Sequence, residues 1–487
     1  MTDTLKKQAL SGVVWTTIQT FGSQILAFFV SVILARLLVP EEFGLIAMIT
    51  LFIGIGSILI NGGLGQSLIR TENADDLDFS TVFYFNLAGS FLIYLIMFFV
   101  APWVAQFYKQ PMLTPLIRVF CLTFIIDALA STQQIRLTKY LQFKLLTKIT
   151  LPSLVISSSV GIIMAYNGFG VWSLVFNSLG QSFVSAVFLW IFSGWKPKWA
   201  FCKVKFKRHF SFGVKLLLSG LLDIVFVNAY TIIIGKFYSV KQVAYYSRAD
   251  SLQMLPVGNI GAIVSKIAFP LFSNIQGDLE RLKRVFKKIM QTIIFLIVPV
   301  LMIMAALGEP LIRFVFTEKW LPILPFFQIL CFNGILYPIH GYNLQVLNVM
   351  GRSDLFLKLE IFKKVVTLIG LYISYQFGIF GLLYGSVILS IIGFFINSYY
   401  SGKFIKYRAL DQIKDLLPFI LIGIVVRIIV SQLYKITPIH SDLVNLIVLS
   451  AVGTAIYLGA NYLFNRPFLN MLVEDFNLKR FLKRKAV

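Results

Sequence analysis

Charge is scarce in this sequence. Of 487 residues, only 13% are Asp, Glu, Lys or Arg, about half the share found in an ordinary soluble domain. So few charges cannot cover a soluble surface of this size, and a water-soluble globule is excluded. Acids are the scarcer sign, 21 against 44 bases, for a net charge of +23. Such an excess points to nucleic acid or anionic membrane. The bases fall between apolar segments, which favours anionic membrane lipid as partner and not nucleic acid. Cysteine is nearly absent: Cys121, Cys202 and Cys331 stand far apart without a CxxC, so neither a disulfide framework nor a metal site is expected. Three scattered histidines, His209, His340 and His440, add nothing to a metal case. No GxxxxGK[ST] occurs, so nothing cradles ATP, and no cofactor is expected. The first apolar segment is too long for a signal peptide and lacks an A-x-A site before Arg36, so it is expected to stay as a span.

What the sequence has is apolar length. Hydrophobic residues make up 58% of the chain and the mean hydropathy is +0.82. At about 20 apolar residues per spanning helix, the runs predict an all-α polytopic membrane protein with about fourteen spans. They fall at 12–37, 43–66, 80–107, 115–135, 147–166, 170–193, 211–236, 243–272, 289–308, 321–347, 358–377, 380–401, 415–433 and 442–464. With the N-terminus in the cytoplasm, 32 basic residues fall in cytoplasmic segments, 7 on the opposite side and 5 within spans. One missed span would invert every later loop, so the positive-inside rule supports this count with both ends inside. The acidic segment Thr71–Asp78 runs against the trend, but acids weigh little in the rule.

The chain also repeats. A shift of about 200 residues lays Ala35-Arg36-Leu37 on Gly235-Lys236-Phe237, and one of 210 lays Cys121 on Cys331 and Gly168 on Gly378. The expected organisation is a six-span N-lobe (1–205), a six-span C-lobe (206–405) and a final segment (406–487) with two spans and a basic cytoplasmic tail. Such a parallel repeat creates a cavity near the bilayer midplane.

Ionisable residues within spans are costly, at least ~2.5–3.5 kcal/mol each on insertion scales, and mark candidate sites. Arg118 and Asp127 share span four, Lys215 and Asp223 span seven, and Arg248, Asp250 and Lys266 span eight. Arg427 stands alone in span thirteen, while Glu360, Lys363 and Lys364 open span eleven, where snorkelling competes with function. A cationic lumen suits an anionic substrate, phosphate esters above all. Amides such as Gln19, Gln24, Asn86 and Asn228 suit sugar hydroxyls, or glue helices together. The connector Trp195–Phe210, with Lys203, Lys205 and Lys207 alternating with apolar residues, is expected in the headgroup layer, bound to anionic lipid. Pro152, Pro256, Pro299, Pro338 and Pro418 are candidate hinges.

Three stretches carry a family likeness. Ile33–Gly44, reading ILARLLVPEEFG, resembles the "ARLLxPxxFG" signature of Wzx-type polysaccharide flippases. Gly63–Arg70 resembles their "GLGxxLIR" stretch, and Gly168–Leu174 their "GxGVWxLV" turn. The resemblance implies the multidrug/oligosaccharidyl-lipid/polysaccharide exporter superfamily, with two six-helix lobes. It further implies translocation of undecaprenyl-pyrophosphate-linked oligosaccharide across the bacterial inner membrane, ahead of a polysaccharide polymerase and chain-length machinery. Arg36, Arg118, Lys215, Arg248 and Lys266 become candidates for pyrophosphate or acidic sugars. Asp127, Asp223 and Asp250 become candidates for ion coupling or salt bridges. Lipid II and multidrug exporters share the architecture. A membrane glycan polymerase or ligase is the rival from another class, but it needs positioned acid, base or nucleophile groups. No predicted external loop exceeds about fifteen residues, and no carboxylate pair with a His stands at an outer edge.

Overall fold

A computed structural model describes residues 3–61, 63–436 and 441–475; the side chains of 3–10, 60–61, 215–216, 263–267, 269 and 473–475 lie outside the description. Helix accounts for 89% of the structure, with no strand among the described residues. Contacts divide the chain into two units, Met1–Ala244 and Tyr245–Val487.

The first unit holds α1 (Asp3–Leu37), α2 (Pro40–Asn61), α3 (Leu64–Arg70), α4 (Asp76–Tyr108), α5 (Leu113–Phe120), α6 (Leu122–Lys139), α7 (Phe143–Tyr166) and α8 (Trp172–Phe192). It continues through α9 (Lys203–Val227) and α10 (Ala229–Phe237) into the first residues of α11 (Val240–Asn274). The second unit holds the rest of α11, α12 (Leu279–Ala306), α13 (Gly308–Phe316), α14 (Leu324–Val349), α15 (Ser353–Tyr375), α16 (Gly378–Phe404), α17 (Ala409–Ile436), α18 (Asp442–Phe464) and α19 (Arg466–Asp475).

Twelve helical stretches among the described residues are long and apolar enough to cross a membrane. Two further long helices, α11 and α15, stand where the eighth and eleventh spans are expected, so all fourteen predicted positions are helical. Three predicted spans are broken rather than continuous. The second is interrupted at Gly63, in the left-handed region, the fourth at Cys121 between α5 and α6, and the seventh at Asn228 between α9 and α10. The five candidate hinge prolines lie inside uninterrupted helices.

Packing follows small residues and apolar stripes. In the first unit α1 lies on α7, α7 on α8, α4 on α6, and α9 on α2, α3 and α4. In the second, α12 is the central post, contacted by α14, α17 and α18. Its Leu282, Phe286, Met290, Ile293, Ile297 and Leu301 are fully buried, a spacing that keeps one face inward over five turns. Gly423 lets α17 approach α12 closely, since a Cβ there would lie 2.1 Å from Val298 Cγ1. Elsewhere large apolar side chains point outward, among them Phe91, Phe99, Trp103, Ile163, Ile369 and Leu421. Exposed apolar surface on this scale is that of a protein solvated by lipid.

Candidate functional site

The densest polar cluster of the first unit is built on the N-terminus of α4. Asp75 caps the helix: its Oδ1 accepts from the Asp78 amide at 2.9 Å, and Asp78 Oδ2 accepts from the Asp75 amide at 3.1 Å. This reciprocal box satisfies two amides that the first turn leaves orphaned, and the positive end of the helix dipole favours the acids. Asp78 is then covered by the connector after α8. Arg208 Nη2 donates to its Oδ1 at 2.6 Å and Lys205 Nζ to its Oδ2 at 3.0 Å. His209, fully buried, places Nε2 3.0 Å from Asp78 Oδ1 and Nδ1 2.8 Å from Ser67 Oγ. A carboxylate only accepts, so Nε2 carries the proton, and the neutral ring then accepts from the Ser67 hydroxyl through Nδ1.

Further bonds strap the connector along α4. Trp195 Nε1 donates to Asp76 Oδ1 at 3.2 Å and Lys198 pairs with the same carboxylate at 3.3 Å. The Lys198 amide donates to Ser80 Oγ at 2.9 Å, and the Cys202 amide to Thr81 Oγ1 at 3.2 Å. Lys139 reaches in from α6 to cap the end of α3, donating to the carbonyls of Leu68 and Thr71, the favoured partner for a helix C-terminus. The Lys205 ammonium, followed by the Asp78 amide, holds the Asp75 carboxyl well below its ordinary pKa.

Half of the basic residues in Trp195–Phe210 thus have partners within the unit: Lys198, Lys205 and Arg208 pair with Asp75, Asp76 and Asp78. Trp195 is buried against Phe79 and Phe83. Lys203 and Lys207 remain on the exposed side. The seventh span begins earlier than expected, since α9 includes Lys203 onward.

At the opposite end of α4, about 50 Å away at 1.5 Å per residue, two of the three family-like motifs meet. Glu41, in the first turn of α2, pairs with Lys241 at 2.9 Å. Glu42 Oε2 accepts from the Val39 amide at 2.8 Å. A Cβ on Gly44 would lie 2.2 Å from the Val240 carbonyl oxygen, and one on Gly170 would lie 2.4 Å from Glu42 Oε1. The first and third motifs therefore close one end of the unit, and the second, Gly63–Arg70, supplies Ser67 to the cluster at the other.

The sequence-derived candidates are spread over both units. Arg118 on α5 sits 4.2 Å over the Phe98 ring and donates from Nε to the Phe98 carbonyl at 3.3 Å. Asp127 on α6 turns instead to the Ser182 hydroxyl of α8. Asn86 is 1% exposed on α4, and neither polar atom of its amide has a partner among the described residues. Arg36 lies exposed in the last turn of α1, as do Gln24 along α1 and Asp223 on α9. Asn228 marks the α9–α10 break and bonds back to the Ile224 carbonyl at 2.8 Å. Arg248 is half-buried on α11, and Asp250 Oδ1 accepts from Gln253 at 3.1 Å. The side chains of Lys215 and Lys266 lie outside the described residues, as does His440. Gln19 joins α1 to α7 through Thr150 at 3.1 Å, an interhelical tie. Arg427 stacks on Phe332 at 4.9 Å, and Lys363 pairs with Glu360 at 2.5 Å.

The second unit buries a network of neutral groups and adds an ion pair beside it. Gln412, fully buried on α17, donates to Asn343 Oδ1 at 3.1 Å and Ser401 Oγ at 3.0 Å, and accepts from Asn343 Nδ2 at 3.1 Å. Tyr407 donates to Asp415 Oδ2 at 2.7 Å, and Lys287 pairs with Asp415 Oδ1 at 2.7 Å. Among the described residues no three His, Cys, Asp or Glu side chains group to hold a metal.

The fold and these ties define a helical multi-pass membrane protein held together by polar groups between its helices. The comparisons define it further. Residues 33–325 match the model of the polysaccharide biosynthesis protein family, and the chain belongs to that family, on the Wzx-type branch of the exporter superfamily that the motifs resemble. It is similar to the teichuronic acid biosynthesis protein TuaB of Bacillus subtilis, at 26% identity over 72% of this chain and 73% of the relative. It is also similar to the lipopolysaccharide biosynthesis protein WzxC of Escherichia coli, at 23% identity over 80% of each. A third relative is the succinoglycan biosynthesis transport protein ExoT of Rhizobium meliloti, at 25% identity over 69% of each. Among solved structures, the fold is that of the lipid II flippase MurJ in an inward closed conformation, with a TM-score of 0.74 at 15% identity over 94% of this chain and all of that one. An inward-facing multidrug resistance MATE transporter matches with a TM-score of 0.60 at 18% identity, over 81% of this chain and 99% of that one. The protein is a flippase-superfamily transporter and not an enzyme.

Proposed function

We propose that this protein carries polyprenyl-pyrophosphate-linked oligosaccharide repeat units from the cytoplasmic to the periplasmic leaflet of a bacterial inner membrane, for surface polysaccharide synthesis. The observation that carries this is family membership joined to the names of the relatives. They serve three different polymers, teichuronic acid, lipopolysaccharide and succinoglycan. A step common to unlike polymers acts on what they share, and a lipid carrier with a pyrophosphate linkage is such a part. The likeness to the lipid II flippase fold supports movement of a lipid-borne cargo.

In the proposed mechanism both termini are cytoplasmic, as the 32-to-7 distribution of bases supports. Residues 1–205 and 206–405 act as six-helix lobes, with 406–487 appended. Access alternates through a cationic cavity in which Arg36, Arg118, Lys215, Arg248 and Lys266 compensate pyrophosphate. Gln24, Asn86 and Asn228 meet sugar hydroxyls, and Asp127, Asp223 and Asp250 serve ion coupling. Asn86 supports this part of the proposal best, because its buried amide has both a donor and an acceptor to offer a hydroxyl. A polysaccharide polymerase and its chain-length machinery take the product.

The test is a bacterial strain that accumulates lipid-linked repeat units for want of its own flippase. Expressing this chain should clear the accumulated precursor, and Arg248→Ala at equal abundance should slow clearance at least tenfold. Undiminished accumulation across several glycans, with the protein folded and in the membrane, would remove the proposed substrate.

A further inference from the structure

The end of α16 and the connector after it, residues 403–408, display three outward-facing cations. Burial alternates along this stretch: Ile405 and Tyr407 are buried, while Lys403, Lys406 and Arg408 are exposed. The buried residues are anchored, Tyr407 through Asp415, and the Tyr407 carbonyl through Gln412 at 3.2 Å. The three cations are thus held in place by their neighbours. They line a groove of about 840 Å³ together with Phe395, Tyr399 and Gly402, within the size range of ligand sites. Among the described residues, no acid pairs with Lys403, Lys406 or Arg408. The neighbouring Asp411 instead accepts from the Arg408 backbone amide at 3.2 Å. Two local features shape the groove. A Cβ on Gly402 would lie 3.2 Å from Arg408 Cα, so the glycine gives the arginine its seat. Lys406 holds φ at 52°, a left-handed conformation that non-glycine residues adopt only where their surroundings enforce it.

One face of α16 leads into this groove. Ile388, Ile392, Phe395, Tyr399 and Lys403 recur at three- and four-residue intervals and are all exposed, so they form a single stripe. Along it the chemistry passes from aliphatic to aromatic to cationic. That is the profile of a lipid from acyl chain through interface to head group, with aromatics at the interface and bases at the phosphates. Each phosphodiester brings one negative charge, so a one-phosphate lipid would leave two of the three cations uncompensated. We infer that this groove binds a membrane lipid whose head group carries two phosphates, with its tail along the α16 stripe. Two lipids have that chemistry, a diphosphatidyl phospholipid such as cardiolipin and a polyprenyl pyrophosphate. The inference does not depend on the transport proposal, because it concerns binding alone.

The test is native mass spectrometry of the delipidated full chain, titrated with cardiolipin, undecaprenyl pyrophosphate, soluble pyrophosphate and phosphatidylethanolamine. Combining Lys403→Gln, Lys406→Gln and Arg408→Gln should weaken at least one two-phosphate lipid tenfold or more, and the lipid that responds names the occupant. Phosphatidylethanolamine should change less than twofold. The control combines Arg281→Gln, Arg284→Gln and Lys414→Gln, which removes the same charge from exposed positions of the same unit outside the groove. It should leave two-phosphate lipid binding within twofold. Thermal unfolding of both variants checks that they fold. Binding of both two-phosphate lipids within twofold of the parent in the groove variant would overturn the inference. So would an equal loss in the control, or soluble pyrophosphate competing as well as either lipid.

Discussion

After α8 the chain brings Lys198, Lys205 and Arg208 against Asp75, Asp76 and Asp78; after α16 it brings Lys403, Lys406 and Arg408 into a groove with no acid paired to them among the described residues. The contrast begins at a helix N-terminus in each unit. Both α4 and α12 are capped by an aspartate, Asp75 and Asp278, whose side chain accepts from the amide three residues on. In α4 that third residue is Asp78, which collects the connector's cations; in α12 it is Arg281. The second unit secures its connector instead with Gln412, Asn343, Ser401 and Tyr407, leaving the bases to face outward. Similar local caps thus lead to one basic segment with half its cations paired to acids and another whose three cations line a groove.

The comparison breaks most sharply at Asp78. Asp78→Asn should remove the buried carboxylate shared by His209, Lys205 and the half-exposed Arg208 and cost about 3 kcal/mol, read as a large drop in thermal unfolding temperature in detergent. Arg281→Gln, at the matching cap position and exposed, should stay within about 0.5 kcal/mol. Equal effects would deny the two units their different solutions. Next in size is Gln412→Leu, which leaves the Asn343 amide and Ser401 hydroxyl buried with fewer partners. It should cost about 1–3 kcal/mol, and a neutral outcome would show that the amide network does not secure the connector. Smaller still are the caps. Asp278→Ala should cost about 1 kcal/mol, and Asp75→Ala up to about 1 kcal/mol more, because it also removes an exposed partner of Lys205.

The smallest effect is that of pH. The Asp75 carboxyl is held below its ordinary value, so its contribution is complete above that value and is lost as pH falls through the lowered one. Acidifying from pH 7 to 5 should therefore leave amide exchange at Asp75–Phe79 unchanged once corrected for intrinsic rates. Loosening should begin only below the ordinary aspartate range, near 3.9. Early loosening at pH 5 would point to another group.

The spans were legible in the sequence because a lipid-facing helix must be apolar along its whole length, and α11 and α15 stand in their expected places despite their charges. The break at Cys121 was not, since cysteine signals none; Asn228 is a residue type found at helix ends, but it sits within a continuous apolar run, and the prolines that signal breaks are packed inside helices. The acidic stretch Thr71–Asp78 reads as an exception to the positive-inside rule, and His209 as a stray. Both are explained by partners far along the chain: Asp78 and His209 are 131 residues apart, and Ser67 and His209 are 142. Spacing within a helix cannot reveal such a pairing. An isolated acid cluster on a predicted cytoplasmic face, opposite a basic connector, was the available clue. Of the candidate site, charge type and span were readable, but direction was not: Arg118 and Asp127 share one predicted span and turn to Phe98 and Ser182.

The most direct test of the account is made in liposomes holding the purified protein and a fluorescent polyprenyl-pyrophosphate oligosaccharide in one leaflet. A quencher added on the opposite side should reach the label in a protein-dependent manner, and Arg248→Ala should slow that exposure at least tenfold. Exposure no greater than in protein-free liposomes, from folded protein and across several glycans, would contradict the account.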